Sequence, residues 1–471
     1  MPDSRPSICY VVSHGFAARM ILQTDLLGGL AQKGIKVSLI SPDANDPVLL
    51  KYCNQHGIEL FPFHSKKWIW RSNYVIYRSY FLEDIKSNPA LYEKHYYEMH
   101  LAKHKWKVLK FLPYILICFY YLFNVFPIFR KLYKKIENSF LKSSDAIRLL
   151  KTIQPDLLVS TYPASPLEGI LLYNAKKNNI RTAIHLLSWD NITSKGHFFS
   201  MADYYLAWGS IMQAEFTEKY KIPTENIFMT GVPHFDLHTQ TSKLNSVFSD
   251  LKEFGLDSSK PFLVFGMSSP RFVPKEIDIV EFLVQKINEN EFGPEMQLLI
   301  RPHPQNVKGW MADKRWIDRL HAITNDRIRL FLPNLVDSKL LWSMERNDMV
   351  KLSKLLSTCV VCINSCSTLS IDTLMAGKGN IAPMFDGETN LPYWASSKRL
   401  LDYTHIKKFI QMGGTQVALD YTELIEEIKN YQDDPDYKMK ERNYAREMEC
   451  GKELHNSTEN VIAALIKISQ N

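Results

Sequence analysis

Short apolar runs alternating with helical stripes, in two blocks, constrain this chain more than any other feature. The first block holds ICYVV (8–12), IKVSLI (35–40), IELFPF (58–63), DLLVST (156–161), TAIHLL (182–187), YYLAWG (204–209) and NIFMTG (226–231). The second holds PFLVFGM (261–267), QLLIRP (297–302), IRLFLP (328–333), CVVCIN (359–364), GNIAPM (379–384) and TQVALD (415–420). Continuous apolar runs with helices between them predict parallel strands covered on both faces, that is, doubly wound α/β sheets. A polar stretch over about 236–259 separates the blocks and reads as a linker with a short helix. At 471 residues the chain exceeds one ordinary core. The expected domains are therefore 1–235 and 236–436, with a polar-rich helix over about 437–469 packing back on the first domain. Two doubly wound, Rossmann-like domains facing one cleft is the expected architecture.

One segment of the first domain breaks the alternation. Residues 64–145 are basic and aromatic, and 111–129 run for 19 residues without a charge. That length reaches a bilayer span on paper. Pro113, Asn124 and Pro127 interrupt it, Lys103, Lys105, Lys107 and Lys110 precede it, and Arg130, Lys131, Lys134 and Lys135 follow. Charge on both sides gives no inside–outside asymmetry, and a spanning helix would divide one α/β domain across the membrane. The expectation is helices lying on an anionic bilayer surface, lysines near the headgroups and Phe119, Tyr120 and Phe123 facing the lipid. An aromatic core insertion or a dimer surface is the alternative.

The net charge of +7, from 57 basic and 50 acidic residues, suits anionic small molecules or lipid and is too diffuse for nucleic acid. No apolar signal region opens the N-terminus, which predicts a cytoplasmic protein. Seven cysteines in mostly strand-like surroundings agree with reduced thiols. Cys359, Cys362 and Cys366 invite a metal reading, but they run along one apolar strand with no second Cys/His cluster nearby. No metal is expected.

In open parallel sheets ligands bind beyond the carboxyl ends of the strands, which singles out the post-strand loops. His14 and Gly15 in SHGFAARM precede a helix, where backbone N–H groups favour an anion; His14 is a candidate general base or a turn residue. The loop lacks the three-glycine dinucleotide fingerprint, so no bound dinucleotide cofactor is expected. In SWDNITSKG, Trp189 offers a stacking face, Asp190 a carboxylate base, Asn191 a hydroxyl partner and Lys195 a phosphate partner; a side-chain-stabilised turn is the alternative. In the second block, GMSSPRF supplies Ser268, Ser269 and Arg271, and RPHP supplies Arg301 and His303. In FLPN, a rigid Pro333 backbone stands ready for a base edge. Ser365, Ser367 and Thr368 open a helix, where hydroxyls and N–H groups take phosphate, and Asp372 one turn on could reach a ribose. An ordinary N-cap explains the same hydroxyls. Asp386 and Glu388 in MFDGETNLPYW are candidate sugar ligands or turn formers.

RPHP, TGVPHFD at the domain crossover and NSCSTLSIDTLMAGKGNIAP resemble the GT-B glycosyltransferases. Within them the chain looks most like bacterial surface-polysaccharide enzymes: CDP-glycerol glycerophosphotransferases, polysialyltransferases and capsule Kdo transferases, with UDP-GlcNAc 2-epimerase as a non-transferring cousin. The resemblance spans about 150–470, touches the first 60 residues in topology only, and has no counterpart for the insertion. It implies a nucleotide-activated donor in the C-terminal domain and a lipid-linked or glycan acceptor in the N-terminal one. His303 and Arg301 would then face the donor phosphate, Ser367 and Thr368 would hold it, and Asp372 stands where the family more often has Glu. Charge-assisted bonds of this kind need no metal, and none of these loops carries a DxD pair. The implied activity is metal-independent sugar transfer in surface-polysaccharide synthesis, on the inner face of the cell membrane. Polyol-phosphate transfer, UDP-sugar 2-epimerisation and a non-catalytic scaffold of an assembly complex remain alternatives.

Overall fold

The computed structural model describes residues 5–65, 71–101, 111–186, 188–243, 251–307, 314–335, 340, 346–452 and 455–470. Lys103, Lys105, Lys107 and Lys110 of the expected basic flank lie outside the described residues. The chain divides into two compact units. One is Met1–His234 with Asp337–Ser343 and Asn456–Asn471; the other is Phe235–Val336 with Met344–His455.

The first unit carries strands β1 (Ser7–Val11), β2 (Lys36–Ser41), β3 (Glu59–Pro62), β4 (Leu157–Ser160), β5 (Arg181–His185), β6 (Tyr204–Ala207) and β7 (Ile227–Met229). They form one sheet in the order β3-β2-β1-β4-β5-β6-β7, every pairing parallel. The second unit carries β8 (Phe262–Gly266), β9 (Gln297–Arg301), β10 (Ile328–Leu330), β11 (Val361–Ile363), β12 (Gly379–Pro383) and β13 (Gln416–Ala418). Its order is β10-β9-β8-β11-β12-β13, again all parallel. Both sheets are doubly wound, with the order reversing between β1 and β4 and between β8 and β11. Those two crevices are where such sheets bind ligands.

The period of two along each strand sorts the second unit's core into two layers. Leu263 and Phe265 of β8, Leu298 and Ile300 of β9, and Val361 and Ile363 of β11 join one cluster; Phe262, Val264, Leu299 and Cys362 join the other. Helices cover both faces, which is why these strands read as unbroken apolar runs. Gly266 ends β8 where a Cβ would lie 2.0 Å from Leu369 Cδ2, so the absent side chain lets the helix Thr368–Met375 come in close.

Three helical expectations differ in detail. The stripe after β1 is two helices, Gly15–Leu22 and Leu26–Gln32. Thr24 interrupts it, its hydroxyl donating back to the carbonyls of Met20 (2.8 Å) and Ile21 (3.3 Å). The stretch read as a linker begins with a helix, Asp236–Lys243, whose Asp236, His238 and Thr239 are buried. The C-terminal stretch is not one helix: Met439–Cys450 belongs to the second unit and Ser457–Gln470 to the first. Val461, Ile462, Leu465 and Ile468 enter the first unit's core, and a Cβ on Gly29 would meet Ile462 Cδ1 at 2.6 Å.

The insertion is helical where described: Arg71–Leu82, Pro89–Tyr96, Leu112–Val125 and Pro127–Phe140. Tyr80, Ile85, Leu91, Leu116 and Tyr120 give it a small core of its own. Tyr120 therefore faces inward, against expectation.

Candidate functional site

In the first unit the crevice between β1 and β4 is stitched by a carboxylate that sequence reading passed over. Glu168, on the helix Pro166–Lys177, is fully buried. It accepts bonds from Ser13 Oγ (2.5 Å), Ser160 Oγ (2.6 Å), Thr161 N (2.8 Å) and Tyr162 N (2.7 Å). One side chain thus fixes the loops after both strands, and burial pushes its pKa up. Ser165-Pro166-Leu167-Glu168 matches the capping-box pattern, the sequence signal that could have drawn attention to it.

His14 and Gly15 stand beside this stitch, Gly15 opening the helix Gly15–Leu22. The His14 ring lies 6.0 Å from that of Tyr162, another residue the sequence did not single out. Burial, then the Lys195 charge, push the His14 pKa down to about 4, so the ring is a free base at neutral pH. Lys195 Nζ is 2.8 Å from Asp190 Oδ2, which also accepts a bond from Ser194 Oγ at 2.6 Å. The fold therefore gathers His14, Asp190 and Lys195. It does not present Trp189 and Asn191 as expected: they are 5 % and 1 % exposed. Both are buried, and neither Nδ2 nor Oδ1 of Asn191 has a hydrogen-bond partner among the described residues.

The second unit repeats the stitch. Glu276, opening the helix Glu276–Asn288, is fully buried; it accepts from Ser268 N at 2.6 Å and Ser365 Oγ at 2.9 Å. The loops after β8 and β11 are thereby joined across their crevice, and burial pushes the Glu276 carboxyl up to about 8. Arg399, also buried, donates to the carbonyls of Phe272 and Arg271 at 3.1 Å each and of Ser396 at 2.5 Å. It ties the β8 loop to the loop after β12.

Around that scaffold the expected residues divide into two sets. Arg271, His303, Ser367 and Thr368 are part-exposed and Glu388 is exposed. His303 Nδ1 accepts the Gln305 N–H at 3.1 Å, so a neutral ring carries its proton on Nε2 as a donor. Ser367 is the N-cap of the Thr368–Met375 helix, its hydroxyl accepting from Leu369 N at 3.2 Å. Its loop is braced by Asn364, whose Oδ1 accepts from Ser367 N (3.0 Å) and Ser370 Oγ (3.0 Å). Arg301 is mostly buried against Asp348 (2.7 Å) and over the Phe331 ring, yet its Nη1 makes no hydrogen bond among the described residues.

The second set lies inward, and Asp372 and Asp386 have partners there. Ser268, Ser269, Ser365 and Pro333 are buried, and Ser268 and Ser365 serve Glu276. Asp372 is 1 % exposed and pairs at 2.8 Å with His238 Nε2, so it is committed inside the unit rather than offered to a ribose. Asp386 is buried too, accepting from Ser397 N at 2.9 Å and from the Ser396 hydroxyl; it builds the turn instead of meeting a sugar. Cys359, Cys362 and Cys366 are buried free thiols, pushed by burial up to about 12, 11 and 12. Among the described residues no group of three or more His, Cys, Asp or Glu is placed to hold a metal ion.

No protein-family model matches the chain, and no curated protein does. Solved structures do. UDP-GlcNAc 2-epimerase from Neisseria meningitidis bound to UDP-GlcNAc is 11% identical, covers 98% of this chain and 100% of its own, and has a TM-score of 0.54. The Methanocaldococcus jannaschii UDP-GlcNAc 2-epimerase in complex with UDP-GlcNAc and UDP gives 11%, 98%, 99% and 0.51. A variant of the wall teichoic acid polymerase TagF soaked with CDPG gives 10%, 99%, 89% and 0.52.

The chain has the GT-B fold. Its two units correspond to the two Rossmann-like domains of that fold, and in each a buried glutamate joins the loops after the two strands that flank the crevice.

Proposed function

We propose that this GT-B chain is a glycosyltransferase, moving a sugar from a nucleotide-activated donor to a lipid-linked or glycan acceptor during synthesis of a bacterial surface polysaccharide. One observation carries the reading. Each unit carries an imidazole in a post-strand loop: His14 after β1 in the first, its pKa pushed down by burial, and His303 after β9 in the second, two residues beyond Arg301, with Ser367 capping the helix that follows β11 of the same sheet. His14 takes the proton of the acceptor hydroxyl. As the acceptor oxygen bonds the anomeric carbon, the bond to the donor phosphate breaks and its electron pair leaves with the phosphate. His303 Nε2–H, the Arg301 charge and the N–H groups near Thr368 meet that developing charge. Asp190, already paired with Lys195 and Ser194, positions rather than abstracts. With the leaving group met this way, the mechanism calls for no resident metal. Nucleotide donors are cytosolic, so the reading puts the enzyme on the cytoplasmic side of the membrane.

Structures of the same fold bound to UDP-GlcNAc, UDP or CDPG support a nucleotide-linked donor. The likeness to TagF favours polyol-phosphate transfer as a second reading, and the epimerase matches favour UDP-sugar 2-epimerisation. The product decides among them. Incubation with UDP-, GDP-, dTDP-, CDP- or CMP-linked donors should release nucleotide only when a lipid-linked or glycan acceptor is present, with a glycosidic product. A phosphodiester product replaces the reading with polyol-phosphate transfer. Acceptor-independent conversion of a UDP-sugar replaces it with epimerisation.

A further inference from the structure

The helical insertion leaves an apolar surface exposed among the described residues. Of the nineteen large hydrophobic side chains exposed among the described residues, thirteen lie between 111 and 140, so the patch is local and not a general surface property. On Leu112–Val125, Phe111, Ile115, Phe119, Leu122 and Val125 recur at helical spacing on the face opposite Leu116 and Tyr120. On Pro127–Phe140, Ile128, Leu132, Ile136 and Phe140 do the same, flanked by exposed Lys131 and Lys135. Lys142 follows, and the one acidic residue of 111–142, Glu137, is buried. An apolar stripe and flanking cations, with no exposed acid within 111–142, match an anionic lipid surface. Exposed Asp84 sits on the other side, bonded to the inward Tyr120. A second copy of the chain would bring the same cations against themselves. The two helices bend by 112°, and no single described helix is long and apolar enough to cross a membrane. Fourteen residues make only about 21 Å of helix against a hydrocarbon core of about 30 Å. Lying on the surface suits this geometry; crossing does not.

The reverse side of the insertion grips the loop that carries Asp190 and Lys195. Arg78 and Lys134 converge on Glu137, at 2.8 and 2.7 Å. The same two cations donate onward to backbone: Arg78 to His197 O, Lys134 to Phe198 O (3.1 Å) and Phe199 O (2.8 Å). Asn88 donates to Thr193 O at 2.7 Å and Lys94 to Ser194 O at 2.5 Å. Five carbonyls between 193 and 199 are thus held by insertion side chains. Glu137 stays ionised: burial opposes the charge, but Arg78 and then Lys134 hold its pKa down at about 2.

We infer that the bent pair Leu112–Val125 and Pro127–Phe140 docks the first unit on an anionic bilayer surface, and that docking sets the position of the Asp190–Lys195 loop through Arg78, Lys134 and Glu137. The docking stands on the insertion alone; the meaning of the coupling rests on the proposed acceptor-side role of that loop.

The full chain, mixed with vesicles of phosphatidylcholine plus phosphatidylglycerol or of phosphatidylcholine alone, tests both without any transfer assay. Wild type should sediment with the anionic vesicles. The exposed triple change Ile128→Ser, Leu132→Ser, Ile136→Ser and the pair Lys131→Gln, Lys135→Gln should each lower that binding by roughly tenfold or more. Equal partition of wild type and both variants overturns docking. So does a wild-type dimer that ignores vesicles and that the triple change makes monomeric. Hydrogen exchange in 188–200 should slow on anionic vesicles in wild type and not in Glu137→Gln. Exchange that ignores vesicles, or responds equally in Glu137→Gln, overturns the coupling while leaving the reading of the reaction intact.

Discussion

His14 owes its protonation state first to burial and second to the Lys195 charge, and both push its pKa down to about 4. A base whose folded value lies below the ordinary value near 6.5 stabilises the fold above that value. The contribution is lost as pH falls from about 6.5 towards 4. If this ring is the acceptor base, the acid limb of kcat/KM lies near about 4, not 6.5. Lys195→Met should move the limb upward, and His14→Gln should remove most activity across the whole range. A pH–rate profile checks both, and a limb unmoved by Lys195→Met would detach Lys195 from this role. At this scale sequence pattern was only half informative. His14, Asp190 and Lys195 were readable because ionisable residues crowded one post-strand loop edge. The burial of Asp372 and Asp386 was not readable, because a polar loop side chain finds partners inside as readily as outside. No spacing rule reveals that Asp372 has His238 waiting 134 residues earlier in the chain.

Loops become a site when something holds them at fixed separation, and buried Glu168 and Glu276 do that from helices. Glu276 runs opposite to most carboxylates. Burial lifts it to about 8, so the folded protein keeps a proton that the unfolded chain releases above about 4.5. Unfolding free energy should fall as pH rises from roughly 4.5 to 8 on this account. Glu276→Gln keeps an acceptor for Ser268 N and a partner for Ser365 Oγ without the ionisation, so it should flatten that slope. Glu276→Ala strands the Ser268 N–H and should cost about 1–3 kcal/mol. Urea unfolding at pH 5 and pH 8 measures all three, and an equal slope in Glu276→Gln would refute the assignment. The central strands were legible because a strand buried on both faces must be apolar throughout, while the part-buried edge strands β3, β7, β10 and β13 showed through their place in the alternation. Helix breaks were not, since Thr24 ends a helix through one hydroxyl without disturbing the leucine stripe. The insertion's helices showed their hydrophobicity, but which side packs on Tyr80 and Leu91 is a tertiary fact.

Over the whole molecule, two doubly wound units followed from alternation alone, because the sheet order needs only apolar strands, covering helices and short loops. The same tolerance explains how the GT-B fold persists at a sequence identity too low to carry a reaction with it. Chemistry must therefore be read from the crevices, and the central claim is that the second unit's crevice binds a nucleotide-linked donor through His303. Calorimetric titration of the full chain with UDP-, CDP- and CMP-linked donors measures this most directly. The account predicts saturable binding of one nucleotide class, weakened about 10- to 100-fold in His303→Ala, as expected when one charge-assisted hydrogen bond worth about 1.5–3 kcal/mol is lost. Equal affinity in wild type and His303→Ala, or no binding of any of these donors, would contradict it.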